Sequence, residues 1–189
     1  MSYVVVTDAC VLFSYVVRDL ILEIRGRDLY RCHWSPEIEA EYERALLAKR
    51  PPLSLQQVQR LTGHMNEAYP DARLEMPATL ASAVQGLPDP DDAHVVALAI
   101  HAGANAIVTF NLKDFPAEVV DPFDVEVIHP DDFLVAQFDL SEAVVVSAAA
   151  ACRRRSKKPA YSADDFLDHI ERAGLPKFAA RLRDFRDLI

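Results

Sequence analysis

The fold is decided by the first stretch of the chain, which reads Tyr3-Val-Val-Val-Thr-Asp8. This short β-branched run is typical of a strand buried on both faces of a parallel sheet, and it ends at an acidic residue. Similar apolar runs predict three more strands, at residues 30–34, 106–109 and 125–128. Because helical segments alternate with these strands, the sequence predicts an α/β fold with a central parallel sheet.

The helical segments divide the chain into two parts. Apolar residues at helical spacing predict one helix over residues 11–29 and another that begins at Ser35-Pro36, where Ser is a good cap and Pro a good first residue. Beyond residue 129 the pattern is helical only. We therefore expect an α/β domain at residues 1–130 and a helical C-terminal extension at residues 131–189.

The composition is that of an ordinary globular protein, with 51% apolar and 26% charged residues among 189, so it excludes a disordered or low-complexity chain. The net charge of −9 is unevenly spread. Residues 1–150 carry 10 basic and 23 acidic side chains, a net of −13, whereas residues 151–189 carry 10 basic and 6 acidic, a net of +4. This asymmetry points to metal-binding carboxylates in residues 1–150, the acidic body, and to a surface for a partner or a polyanion in residues 151–189, the basic tail.

The cysteines and the apolar runs indicate a compartment. Three scattered cysteines without a CxxC pair favour a reducing environment over a disulfide framework. The N-terminus has no signal-peptide pattern. The most apolar run, Ala143–Cys152, is broken by Ser147 and is too short to span a bilayer. We expect a soluble cytoplasmic protein that does not contact a membrane.

Several acidic and amide side chains follow predicted strands or open a predicted helix, which are the positions where α/β sheets bind ligands. Asp8, Asn111 and Asp114 follow predicted strands, and ligands of open α/β sheets bind at the carboxyl ends of the strands. Asp89 and Asp92 open the helix that ends near His101, where the helix dipole tolerates them. On the helix after the second strand, Glu41 is the acid that shares a strip with apolar residues.

A cluster of carboxylates repels itself unless a cation neutralises it, and oxygen ligands suit Mg²⁺ or Mn²⁺. Such a cation activates water and offsets charge on a phosphate. Each acid alone is also explained as a turn or cap residue, and for Asp91 we favour the cap. The combination of four groups at equivalent positions favours a metal site.

Four motifs, taken in order and spacing, resemble the PIN domain family, and most closely its VapC-type ribonuclease toxins of type II toxin–antitoxin systems. The resemblance covers residues 3 to about 130. The motifs are Val4-Val-Val-Thr-Asp-Ala-Cys-Val-Leu12, Glu41-Tyr-Glu-Arg-Ala-Leu46, Asp89-Pro-Asp-Asp-Ala-His-Val-Val-Ala-Leu-Ala-Ile100 and Ile107-Val-Thr-Phe-Asn-Leu-Lys-Asp-Phe-Pro116.

The resemblance implies a flavodoxin-like α/β/α sandwich and a Mg²⁺- or Mn²⁺-dependent endoribonuclease. It also implies an RNA substrate, a cognate antitoxin with a cationic segment, and a homodimer. The implied catalytic acids are Asp8, Glu41 and Asp92, of which Asp8 and Asp92 are metal ligands. The further implied site residues are the ligands Asp89, Asn111 and Asp114 and the supporting hydroxyl of Thr109.

Two positions depart from the family pattern. Cys10 replaces the usual Asn, and Asn111 replaces an acid, which weakens a second metal. A phosphatase of the haloacid-dehalogenase type would need an acid where Cys10 lies, and the five glycines form no phosphate-binding or dinucleotide-binding loop. Neither Cys10 as a nucleophile nor His94 as a base is favoured over a packed side chain.

Two alternatives stay open from the sequence. The basic run Arg153, Arg154, Arg155, Lys157 and Lys158 either contacts RNA phosphates or forms a solvated helix end. The acids either cleave RNA or belong to a catalytically silent PIN-like module that binds RNA or protein.

Overall fold

The computed structural model describes residues 2–49, 53–157 and 160–189. The chain forms two compact units. The first unit consists of Met1–Phe13 and Arg31–Ile128, and the second of Ser14–Tyr30 and His129–Ile189. The two predicted domains, residues 1–130 and 131–189, remain a prediction.

The first unit contains a four-stranded parallel sheet of order β2-β1-β3-β4 in the described part of the chain, which confirms the predicted fold class. Val5 of the first strand pairs with Cys32 on one side and with Ala106 on the other. The central strand β3 is fully buried and β1 is buried except at Val4, which explains their continuous apolar runs. The strands are β1 Val4–Thr7, β2 Arg31–His33, β3 Ala106–Val108 and β4 Glu126–Ile128.

The helices of the described residues follow the order of the predicted segments. They are α1 Ala9–Phe13, α2 Tyr15–Arg25, α3 Pro36–Lys49, α4 Leu55–Ala68, α5 Ala78–Ala83, α6 Ala93–Ala102, α7 Ala117–Val120, α8 Pro130–Leu140, α9 Glu142–Arg155, α10 Ala163–Arg172 and α11 Pro176–Arg183.

The prediction of one helix over residues 11–29 is wrong. Ser14 has extended backbone angles (φ −76°, ψ 115°) and separates α1 from α2 as the N-cap of α2. The Ser14 side chain makes no cap hydrogen bond, so the extended backbone of Ser14 alone marks the break. The break assigns α1 to the first unit and α2 to the second.

The second unit is helical, as expected for the C-terminal residues, and two polar contacts organise it. The Asp131 carboxylate is buried and accepts hydrogen bonds from the backbone N–H groups of Lys177 (3.0 Å) and Phe178 (2.8 Å) at the start of α11. Near the end of α9, Arg155 pairs with Glu23 and Asp19 of α2. Among the residues described here, none of the helices has the length and apolar character needed to cross a membrane.

Candidate active site

A cavity of about 820 Å³ in the first unit collects most of the predicted site residues. It lies where β1 ends, beside α3 and beside the loop that leads into α6. Six acidic residues line it. They are Asp8, Glu37, Glu41, Asp89, Asp91 and Asp92.

Asp8 is anchored at the junction of two strands. Its backbone N–H donates to the carbonyl of Val108 (3.1 Å), so the parallel pairing of β1 and β3 fixes the position of Asp8. Its carboxylate oxygen Oδ2 accepts hydrogen bonds from Thr109 Oγ1 (2.7 Å) and Cys10 Sγ (3.0 Å). Both donors bind the same carboxylate oxygen. Although Asp8 is only 6% exposed, it still lines the cavity.

Thr109 is the fully buried side chain behind this arrangement. Besides donating to Asp8, its hydroxyl oxygen accepts from the backbone N–H of Asn111 (3.0 Å). One hydroxyl therefore connects the acid that follows β1 to the chain that follows β3. Asn111 is exposed and reaches the cavity wall.

Cys10 is a protonated thiol in this site. Burial and the charge of Asp8 raise its pKa to about 12. Its sulfur donates to Asp8 and accepts from the backbone N–H of Phe110 (3.4 Å). A thiol held in this way is a poor nucleophile, because the reactive form is the thiolate.

Glu41 of α3 lines the same cavity and faces His94 of α6. Nε2 of His94 lies 3.5 Å from Oε2 of Glu41, an ion-pair distance without hydrogen-bond geometry. Nδ1 of the same ring is 2.7 Å from the carbonyl oxygen of Asp91. Burial lowers the pKa of His94, but the Glu41 carboxylate outweighs this and raises the pKa above its ordinary value. His94 is therefore a buried group, 8% exposed, that contacts a predicted catalytic acid.

The sequence indicated a merely structural His94, and no pattern along the chain identified Glu41 as its partner. One signal was available. His94 follows Asp91 by three residues, so its ring can reach back to the Asp91 carbonyl at the helix start. The opposite nitrogen then faces away from that turn, toward α3.

Asp89, not Asp91, caps the turn before α6. The Asp89 carboxylate accepts from the backbone N–H of Asp91 (2.9 Å) and begins a 3-10 turn at Pro90–Asp92. The expectation that Asp91 is the cap is therefore wrong. Asp91 supplies its backbone carbonyl to His94 instead, and its side chain lines the cavity.

The pKa of Asp92 is raised by burial and by the negative charges around it. Burial raises its pKa to about 6, with further contributions from the charges of Asp8, Asp89, Asp114 and Glu41. A carboxyl with such a pKa feels several neighbouring negative charges at once. Predicted ligands that lie far apart along the sequence therefore share one electrostatic environment. Of the predicted set, Asp114 acts through its charge and does not line the cavity.

The donor chemistry of this site fits a hard divalent cation. The donors that line the cavity are carboxylate and amide oxygens, which suit Mg²⁺ or Mn²⁺, and their mutual repulsion favours a bound positive charge. Within the described ranges, no three His, Cys, Asp or Glu side chains form a ready-made group of metal ligands.

The basic run of the second unit is partly engaged in structural contacts. Arg153 donates to the carbonyl of Tyr161 (3.0 Å), and Arg155 pairs with two acids of α2. Arg154 and Lys157 are exposed. Lys158 lies outside the described residues. The role of this run in RNA binding stays a prediction.

Comparisons with known proteins match two successive parts of the chain to family models. A family model described as "PIN domain" matches residues 4–113, and one described as "VapC50 C-terminal domain" matches residues 130–184. The chain is 36% identical over 92 residues to a protein of Mycobacterium tuberculosis (strain ATCC 25618 / H37Rv) named "Putative ribonuclease VapC50". This similarity covers 49% of the chain and 54% of the relative, so the chain spans about half the length of that relative. No solved structure matches the chain.

Proposed function

Because the chain belongs to the PIN domain family, we propose that it is a Mg²⁺- or Mn²⁺-dependent endoribonuclease that hydrolyses RNA phosphodiesters. The observation that carries this proposal is that Asp8, Glu41 and Asp92, the three proposed catalytic acids, line one cavity together with Asp89. The raised pKa of Asp92 agrees with this concentration of negative charge. The similarity to a protein named as a ribonuclease supports the same activity.

Each acid has a proposed part in the chemistry. Asp8 and Asp92, with Asp89, Asn111 and Asp114, would hold the cation. When bound, a divalent cation supplies a Lewis acid that lowers the pKa of water and offsets charge on the phosphate.

The neighbouring side chains act on these acids. Thr109 donates to Oδ2 of Asp8 and so holds the rotamer of that carboxylate. His94 keeps the Glu41 carboxylate at the cavity wall. Both are positioning residues.

We infer that the chain is the toxin of a VapBC-type pair, acts in the cytoplasm and forms a homodimer. The two family matches and the named relative support the toxin assignment. The acidic cavity is complementary to the cationic segment expected of an antitoxin, since opposite charges steer such partners together. All three cysteines are free thiols, which suits a reducing compartment.

The test is cleavage of total RNA by the purified full chain, with Mg²⁺ or Mn²⁺ in one arm and EDTA in the other. We expect discrete fragments that require the cation and that disappear in Asp8→Ala. The control is Glu118→Gln, which removes an exposed carboxylate from the same unit without touching the cavity. If the folded protein leaves RNA intact and does not bind Mn²⁺, the acids are structural and the silent binding module is the better explanation.

A further inference from the structure

The carboxylates of the acidic cavity repel the phosphates of the RNA substrate proposed above. Six carboxylates line it, whereas RNA carries one negative charge per phosphate. A single divalent cation leaves that surface negative, so a phosphodiester needs a fixed positive charge at the cavity as well. Among the described residues that line it, the basic side chains are Arg44 and His94.

His94 is not available to a ligand. Its side chain is 10% exposed, and its two nitrogens face the Asp91 carbonyl and the Glu41 carboxylate. Arg44 has the opposite character. Its side chain is 75% exposed and extends from α3 at the cavity rim, three residues after Glu41.

The contacts that hold Arg44 are weak. Its Nη2 lies 3.8 Å from Oε1 of Glu41, and its Nε donates to the carbonyl of Ala40 at 3.3 Å. An exposed ion pair at that distance contributes little free energy, so a phosphate oxygen competes readily for the guanidinium. Arginine is suited to this because its planar fork binds two phosphate oxygens at once.

We propose that Arg44 forms a phosphate subsite at the rim of the cavity, which binds a backbone phosphate next to the one that is cleaved. This subsite rests on the proposed function for its place in the reaction. Its ligand is a single-stranded RNA phosphodiester. Arg44 neutralises that phosphate and holds the strand against α3, while Glu41, one turn earlier on the same helix, stays at the cavity wall.

The first test is steady-state cleavage of an RNA oligonucleotide that contains a site mapped in total RNA. In Arg44→Ala we expect KM to rise about fivefold to tenfold with kcat within about twofold, because a phosphate contact made equally in the ground and transition states affects binding alone. Arg44→Lys should recover most of the loss, since it keeps the charge. The matched control is Arg60→Ala, which removes an exposed arginine of α4 that does not line the cavity.

The second test measures binding without cleavage. In an inactive Asp92→Asn background, fluorescence anisotropy gives the affinity for a labelled single-stranded RNA at several salt concentrations. Adding Arg44→Ala should reduce the slope of log affinity against log salt by about 0.7, the value for one lost phosphate contact on a single strand.

The outcomes separate the two proposals. If Arg44→Ala matches Arg60→Ala in affinity and salt slope, or if no variant binds RNA, the subsite is wrong. If the slope falls as expected but the wild-type chain cleaves no RNA, the subsite stands and the proposed ribonuclease activity fails.

Discussion

At the scale of the residue, Thr109 tests whether the geometry around Asp8 matters. Thr109→Val keeps the shape of the side chain and removes the 2.7 Å hydrogen bond to the Asp8 carboxylate. We expect cleavage to fall about 10- to 100-fold, the usual cost of losing a group that orients a metal ligand. The free energy of unfolding should fall by about 1–2 kcal/mol, because a buried charged acceptor loses a donor.

The control for this change is Thr109→Ser, which keeps the hydroxyl and should retain most of the activity and stability. Cleavage rates and urea denaturation give the two readouts. If Thr109→Val cleaves RNA at the wild-type rate, the orientation of Asp8 does not depend on this hydrogen bond.

The same scale shows what a sequence can and cannot predict about the site. The positions of Asp8, Asn111 and Asp92 were predictable because strand ends and helix starts are visible as local patterns. The contact between His94 and Glu41 was not, since it joins side chains 53 positions apart on two helices and depends on helix rotation. Nor does the sequence show that Asp92 is crowded, because burial and charge are properties of the folded site.

At the scale of the element, α11 depends on a cap that lies far away in the chain. Asp131 accepts two backbone hydrogen bonds at the start of α11 and is 2% exposed. Asp131→Ala leaves both N–H groups without this acceptor, so we expect the free energy of unfolding to fall by about 2–3 kcal/mol. Urea denaturation measures the change.

The neighbouring acid provides a matched control. Asp132 forms an exposed ion pair with Lys177, which solvent screens, so Asp132→Ala should cost much less than Asp131→Ala. Equal losses from the two substitutions would contradict the capping role. An intermediate loss in Asp131→Asn is expected, because the amide keeps one acceptor oxygen.

The break at Ser14 shows why element boundaries were harder to predict than elements. The apolar spacing of residues 11–29 is continuous through Ser14, so periodicity alone predicts one helix. The structure interrupts it because α1 follows directly from β1, whereas α2 belongs to the second unit. Two short helices that each bury an apolar face in a different unit therefore show the same apolar spacing as one long helix.

At the scale of the whole molecule, the sequence predicted the kinds of element but not all of their packing partners. The amphipathic pattern of α2 indicates a buried face, and in the structure this helix packs against α9. Arg155 of α9 binds Glu23 and Asp19 of α2, which precede it by 132 and 136 positions in the sequence. Such long-range pairs leave no local signal. The acidic body was visible from the composition, and its consequence for stability is testable.

The stability of the metal-free chain should depend on pH through Asp92. Its pKa in the folded chain, about 6, lies above the ordinary value of 3.8, so the folded state prefers the protonated form. The contribution of Asp92 is therefore most favourable below pH 4 and is lost as the pH rises through 6. Asp92→Asn removes the repulsion, so without metal it should melt at a higher temperature than the wild type at pH 7.5, and the difference should shrink as the pH falls toward 4.

Divalent cations should reverse that order at pH 7.5. A cation that binds only the folded chain raises its stability by about 2.7 kcal/mol at 100 times its Kd, and the wild-type chain should gain this where Asp92→Asn gains less. Thermal melts with Mn²⁺ or EDTA test both statements, and Glu118→Gln should follow the wild type throughout. If Asp92→Asn melts below the wild type in EDTA at pH 7.5, Asp92 stabilises the fold instead of straining it, and the case for a cation at this cavity loses its electrostatic basis.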